Sequence, residues 1–550
     1  MKILKNGLTL ILISFIVSCS SDDSATSSPP FNGDVYLRSQ QEVNDFGANN
    51  HSGVNGNLTI GDQNGPRDIT NLGPLSSLTF IAGDLDINYN DGLTSLNGLS
   101  NIETVNGFLH IGENNSLENL NGIANINSVE SIQIAFNYSL SQIDGLQNIT
   151  SLTGELSIFR CDNLVNINGL ENISQIGGTL NLANIPISNV DSLSNLNSVA
   201  GNISIYDCDN LEDLDGLSNL QVIGGTLYIG KYPFISPSLN GNSNLTSIQG
   251  LSNITHIGGN LEIGDNESLL DLNGLQNLES IDGELYLFNC KFQDLNHLNN
   301  LTSIGSDLRL ENNPSLSDLN GLGSLTAIGG NCKIYNNDAL INIDDLNNLI
   351  SIEGVINLQY NDNLLNIDNT FDGLASVEGL YISHSYFTSF NMLNNLNTIG
   401  YIRIYDNDQL TSIQGFSSLN TINSILTISG CDILTSITGF QNLSSVEHLM
   451  LGADIGSNFD LPDLSDISGF SNLITINGDL EIERTSLTNL TPLSNVNSVL
   501  GDVLITYNNS LSNFCGLNNL FQNNGLTGEF YAGWNSYNPS QADMENGNCN

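Results

Sequence analysis

The chain has 550 residues and carries 11 Lys and Arg against 58 Asp and Glu, a formal net charge of −47. So acidic a chain repels nucleic acid and anionic membrane surfaces at physiological salt, which excludes nucleic acid as a partner. Length by itself suggests several domains, an expectation that an internal repeat overrules.

In chain order, Lys2 and Lys5 precede an apolar run from Leu8 to Val17 that suits a signal-peptide core and is too short to span a bilayer. The run ends in Ile16-Val17-Ser18-Cys19, which resembles the bacterial lipobox; the resemblance implies cleavage before Cys19 and lipidation of that residue. Ser20-Ser21-Asp22-Asp23 is similar to the surface-export signal of Bacteroidota lipoproteins. Together these resemblances imply a lipid-anchored protein outside the outer membrane, touching the bilayer only through its anchor. We read residues 1–18 as signal peptide, 19–31 as a flexible Ser/Asp/Pro-rich tether, and 32–55 as an N-terminal cap, in which Ser39-Gln40-Gln41-Glu42 has capping-box spacing for a short helix.

From 56 to 514 one unit recurs. Its clearest copy is Gly305-Ser306-Asp307-Leu308-Arg309-Leu310, then Asn313, Leu316, Leu319, Gly321-Leu322, Leu325 and Ile328. The L-x-I triplet that opens each unit begins at Leu58, Leu85, Leu109, Ile132, Leu156 and onward to Leu480 and Val503, with insertions near 231–244 and 452–466. A fixed period of this size with Gly/Asn turns predicts a parallel β-solenoid, in which no coil can bury its apolar face alone. Alternation along a strand turns the outer residues of L-x-I inward and the middle one outward.

The pattern resembles leucine-rich repeats and the receptor L domains that form ligand-binding β-helices; Gly258-Gly259-Asn260-Leu261-Glu262-Ile263 with Asn266 and Gly274-Leu275 is especially L-domain-like. The chain departs from the receptor domains in having more coils and few cysteines. The resemblance implies a right-handed, leucine-rich-repeat-like solenoid that binds a ligand. Three residues after the triplet stands Asn90, Asn114, Asn137, Asn266, Asn313, Asn337, Asn361, Asn407 or Asn508, with Cys161, Cys208, Cys290 and Cys431 replacing it elsewhere. An inward asparagine there can satisfy the turn backbone, and the cysteines read as small buried residues. Residues 515–550 form a C-terminal cap in which Cys515 and Cys549 are the expected disulfide of an exported protein.

The scarce cations and the tyrosines gather from the middle of the triplet to four residues beyond it. From this window we select Tyr206, Tyr228, Tyr286, Arg309, Lys333, Tyr335, Tyr360, Tyr381, Arg403 and Tyr405 as the expected ligand-binding stripe. Phe416, Phe440 and Phe470 instead fill the Gly-Leu slot, so aromatics are sorted by whether they carry a hydroxyl. The expected function is non-catalytic cell-surface binding or adhesion toward an extracellular glycan or protein. A structural envelope coat and a β-helix polysaccharide-degrading enzyme are the alternatives. Asp86, Glu262 and Glu481 fall many coils apart, and His110 and His448 have no partner at nucleophile or metal spacing, so no catalytic residue, metal ligand or cofactor is assigned. Asp406-Asn407-Asp408 and Asn361-Asp362-Asn363 keep calcium open as a weak possibility.

Overall fold

The computed structural model describes residues 28–230, 241–452 and 460–550; the signal segment, Cys19 and the insertion residues 231–240 and 453–459 lie outside them. The triplets form the strands of one long parallel sheet. Its register sets equivalent residues side by side, as with Leu285, Leu308, Cys332, Ile356, Leu380 and Ile402. The architecture is a right-handed parallel β-solenoid with little helix. At about 4.8 Å per strand the stack is roughly 100 Å long.

Each coil turns by a three-residue rule. After Leu85 and Ile87 in the strand come Leu93, Leu96, Leu99, Ile102 and Val105, all fully buried, before the next triplet begins at Leu109. A second column of two-residue strands, from Ser151–Leu152 to Ser351–Ile352, pairs on another side of the coil. The Gly-Leu step forms 3-10 turns such as Asp144–Leu146 and Asp215–Leu217. Glycine is needed there because a Cβ on Gly216 would collide with the Val190 carbonyl of the preceding coil. Where phenylalanine fills the neighbouring slot, Phe390, Phe416, Phe440 and Phe470 stack at 5.0, 4.8 and 5.5 Å as a buried spine.

The turn after each strand is the costly part of the coil. One residue adopts a left-handed conformation, as at Tyr89 (φ 61°), Asn312 (φ 56°) and Arg484 (φ 49°), at about 1 kcal/mol for a residue with a side chain. The next residue then points inward. Asn337 there donates to the carbonyls of Leu310 (3.1 Å) and Tyr335 (3.0 Å) and accepts from the Asn313 N–H (3.1 Å). The same arrangement joins Asn90 to Asn114, Asn114 to Asn137, Asn242 to Asn266 and Asn337 to Asn361. Cys208 and Cys290 substitute by pointing Sγ at the carbonyls of Leu182 and Ile263 (3.7 and 3.6 Å) while their own N–H groups donate to Asn242 and Asn313.

A second, exposed ladder runs along the outside. In the tripeptides around Asn219, Asn277 and Asn442, the asparagine donates to the carbonyl of Ser194 (2.7 Å), Ser252 (2.8 Å) or Ser417 (2.7 Å) one coil earlier.

The stack reaches further into both expected caps than the repeat indicates. Val35–Leu37 pairs with Leu58–Ile60, and Phe530–Gly533 pairs with Val503–Thr506. Gly33-Asp34 before Val35-Tyr36-Leu37 and Gly528-Glu529 before Phe530-Tyr531-Ala532 repeat the entry of coils such as Gly83-Asp84, and Asn535 fills the ladder slot, accepting from the Asn508 N–H at 2.9 Å. The N-terminal helix α1 (Gln40–Gly47) is capped by Ser39, whose Oγ accepts from the Glu42 N–H at 3.3 Å, while Glu42 reaches back to the Arg38 N–H at 2.6 Å. At the other end Leu520 and Met544 are fully buried over the last coils, and Cys515 and Cys549 form a disulfide.

Two outcomes follow from this packing. Asn337→Ala strands the Asn313 N–H and the Leu310 carbonyl, so urea unfolding should show a loss of about 2 kcal/mol; the exposed neighbour variant Asp338→Ala should lose much less, and equal losses would contradict the ladder. Burial pushes the thiols of Cys161, Cys208, Cys332 and Cys431 up to about 12. Iodoacetamide at neutral pH should therefore label none of them in the folded chain and all of them in denaturant.

Candidate functional site

The ten selected residues fall in three columns of the broad strand face. Tyr286, Arg309, Lys333, Tyr381 and Arg403 occupy the mid-strand outward column, with Asn357 between Lys333 and Tyr381. Tyr228 belongs to the same column two strands earlier. Tyr206, Tyr335 and Tyr405 stand two residues further along their strands, on the same face by alternation. Tyr360 instead occupies the left-handed turn position, at φ 53°.

The structure corrects the stripe in two respects. Tyr228 is 2% exposed, so it belongs to the packing and not to a ligand surface. Its ring meets Tyr206 edge-on at 6.2 Å. Arg309 and Lys333 are also not open cations. Arg309 pairs with Glu311 at 2.6 Å and lies 4.2 Å over the Tyr286 ring, whose hydroxyl donates to Glu311 at 3.0 Å. Lys333 pairs with Asp307 at 2.6 Å, across the coil boundary. In so acidic a chain each of these two cations has found a carboxylate, and sequence reading of the cations alone missed both acids. Glu311 was accessible to it, because residues two apart on a strand share a face. Asp307 was not, because it precedes its strand and meets Lys333 only through the register.

These pairs hold a rigid, half-buried patch. Burial raises the Tyr335 hydroxyl to about 12, with the Arg309 guanidinium opposing and Glu311 adding to the rise. Burial raises Tyr286 as well, again against Arg309 and with Glu311. Both phenols therefore stay protonated. Beyond Asn357 the surface opens: Tyr360, 45% exposed, stacks on His384 at 4.3 Å, and Tyr381 meets Tyr405 edge-on at 5.2 Å. Arg403 is exposed, 5.7 Å from the Tyr401 ring, and makes no ion pair among the described residues.

Other chemistry is sparse. His110, His256, His384 and His448 each lie 3.2 to 3.5 Å from one aspartate of a neighbouring coil. No three His, Cys, Asp or Glu side chains converge as a metal site among the described residues. The Asn361 and Asn407 oxygens of the calcium-like turns face inward and accept from the N–H groups of Asn337 and Ser385.

With this geometry in hand, comparison with known proteins locates part of the repeat. The Receptor L domain family model matches two adjoining segments, residues 174–255 and 253–317. These segments carry Tyr206, Tyr228, Tyr286 and Arg309. A solved structure, the crystal structure of a TLR13–ssRNA13 complex, aligns over 90% of this chain and 94% of that one at 14% identity. Its TM-score is 0.21, so the superposition carries no argument about shape or ligand. No curated protein matches the chain.

The Lys333–Asp307 pair sets a pH test. Burial raises the Asp307 carboxyl, but hydrogen bonds from Asn331 and Lys333 outweigh it and hold the group below its ordinary value. A depressed carboxyl contributes stability above its unfolded-state value and loses it as pH falls through the folded one. Asp307→Asn should therefore destabilise the chain at about pH 7 and much less at about pH 3. An equal penalty at both, by urea unfolding, would contradict the ion pair.

Proposed function

We propose that the protein is a non-catalytic binding protein, anchored through Cys19 on the outer-membrane surface, that holds an extracellular glycan or partner protein on the strand face between Tyr286 and Tyr405. The observation that carries this reading is the outward column Arg309, Lys333, Asn357, Tyr381, Arg403, set in register on consecutive strands. Tyrosine and arginine bring large, rigid contact area with few torsions to fix, and they are enriched where interfaces concentrate their energy. The ion pairs at one end of the column pre-organise it, and exposed Arg403 and Tyr360 with half-buried Tyr381 at the other end supply the contacts. Binding then requires little ordering of the protein, which is where much of the cost of association otherwise lies. The two matched Receptor L domain segments agree with a binding role and leave the ligand open. Catalysis has no support in the arrangement, because Asp86, Glu262 and Glu481 stand on well-separated strands of the sheet.

Arrays of glycans and secreted proteins probed with residues 28–550 should give a defined set of ligands. A copy carrying Tyr335→Ala, Tyr381→Ala and Arg403→Ala should lose them by at least about tenfold. Ligands held equally by both copies would remove the face from the account, and silence from both would favour a structural coat.

A further inference from the structure

Four strands separate the Tyr286 strand from a different feature of the same sheet, a cleft of about 200 Å³ over the strands Leu85–Asn88, Phe108–Gly112, Ser131–Ala135 and Leu156–Phe159. Its origin is a step in side-chain height. The last outward column of these strands reads Asn88, Gly112, Ala135, Phe159, two nearly bare positions between two larger ones. A comparable step at Gly264 is filled, because the neighbouring Phe288 ring lies where a Cβ on that glycine would be. At Gly112 no phenyl ring intrudes: a Cβ there would meet Asn88 Oδ1 and the His110 imidazole Nε2 at 3.0 Å and the Ala135 carbonyl at 3.5 Å. Phe159 instead turns its ring to Phe136, edge-on at 5.4 Å, and the space stays open.

The walls are aromatic and held in place at a cost. Tyr89 and Phe136 both sit in left-handed backbone, φ 61° and 55°, where Asn or Asp stands in many other coils. Arg67 lies 5.2 Å over the Tyr89 ring from the N-terminal side, and Arg160 lies 5.5 Å over the Phe136 ring from the C-terminal side. Tyr89 and Phe136 line the cleft two coils or about 10 Å apart, with Glu113 between them. Glu113 and Gln133 add polar groups to the lining, while the Asn88 amide is tied to His110 Nδ1 at 3.2 Å.

We propose that this cleft is a second binding site, independent of the Tyr286–Tyr405 face, and that it takes one neutral pyranose ring. A sugar's C–H face fits an aromatic wall, and its hydroxyls donate to Glu113 while remaining able to accept from Gln133. Glu113 and the nearby Asp86 offset Arg67 and Arg160, so a ligand charge of either sign gains little here. A quaternary ammonium would meet rings that already carry guanidinium groups, which weakens a second cation–π contact. A neutral polyol with one apolar face meets all of these conditions.

The test is saturation-transfer NMR on the described chain, residues 28–550, with methyl glucoside, galactoside and mannoside as probes and with choline and glucuronate as charged comparators. At least one neutral pyranoside should bind with a Kd of about 1 mM, with transfer strongest to the C–H protons of one ring face. Ala135→Leu fills the floor and Tyr89→Phe keeps the wall, so the first should abolish transfer and the second should preserve it. Both variants are read in a chain that also carries Tyr381→Ala and Arg403→Ala, so transfer through the other face does not enter and failure of this site is separated from failure of that one. No saturable transfer from any pyranoside, binding of choline or glucuronate alone, or transfer that survives Ala135→Leu in a folded variant would overturn the proposal.

Discussion

A chain that turns inward after every strand buries a backbone N–H and C=O at each turn, and the solenoid depends on giving those groups partners. The buried asparagines do this. From Asn114 onward they accept from the slot in the preceding coil and donate to a carbonyl of that coil, as Asn337 and Asn361 do, so the bond that completes one turn is supplied by the next. A one-residue slip would already turn the inward leucines of a coil outward, and the ladder of amide groups adds a directional bond at each turn. Together they fix the register, and the register in turn determines which outward side chains meet. Left-handed turn residues are the local cost of this geometry, and an unsatisfied buried peptide would cost more.

With the inner face fully committed to packing, the outward face of the sheet is what remains for recognition. It divides into regions of different character. The Arg309, Glu311, Tyr286 and Lys333, Asp307 pairs make a self-satisfied, rigid patch. Around Tyr360, Tyr381 and Arg403 the same columns are more open. Near Gly112 the surface drops into a cleft. Parallel strands hold these regions at fixed separations, so a long polymer or a flat protein surface would meet several of them without reorganising the chain.

The repeat, the inward positions and the asparagine slot were legible in the sequence because they rest on spacings of two or three residues and on a period of one coil. Leu93, Leu96 and Leu99 are examples, and so are Phe416, Phe440 and Phe470. The state of the outward residues was harder to read. Tyr228 and Lys333 share a column, yet one is buried and the other is held by Asp307, a carboxylate of the preceding coil. Tyr89 and Tyr360 counted as strand-face tyrosines, although they occupy left-handed turns where sequence offers no warning for an aromatic. The exposed ladder through Asn219 and Asn277 was visible as a recurring tripeptide and went unread because its carbonyl partner lies 25 residues earlier. Val35–Leu37 and Phe530–Gly533 escaped detection because their triplets, Val-Tyr-Leu and Phe-Tyr-Ala, depart from L-x-I, although Gly33-Asp34 and Gly528-Glu529 frame them.

The central claim, that the strand face is the recognition surface, is most directly tested by photocrosslinking on cells displaying the full chain. A benzoylphenylalanine would be placed at Asn357, in the middle of the outward column, or at Gln441, exposed on the ladder side of the coil. The account predicts adducts with extracellular glycan or protein from position 357 and none from position 441. Adducts from 441 alone, or equally from both, would contradict it.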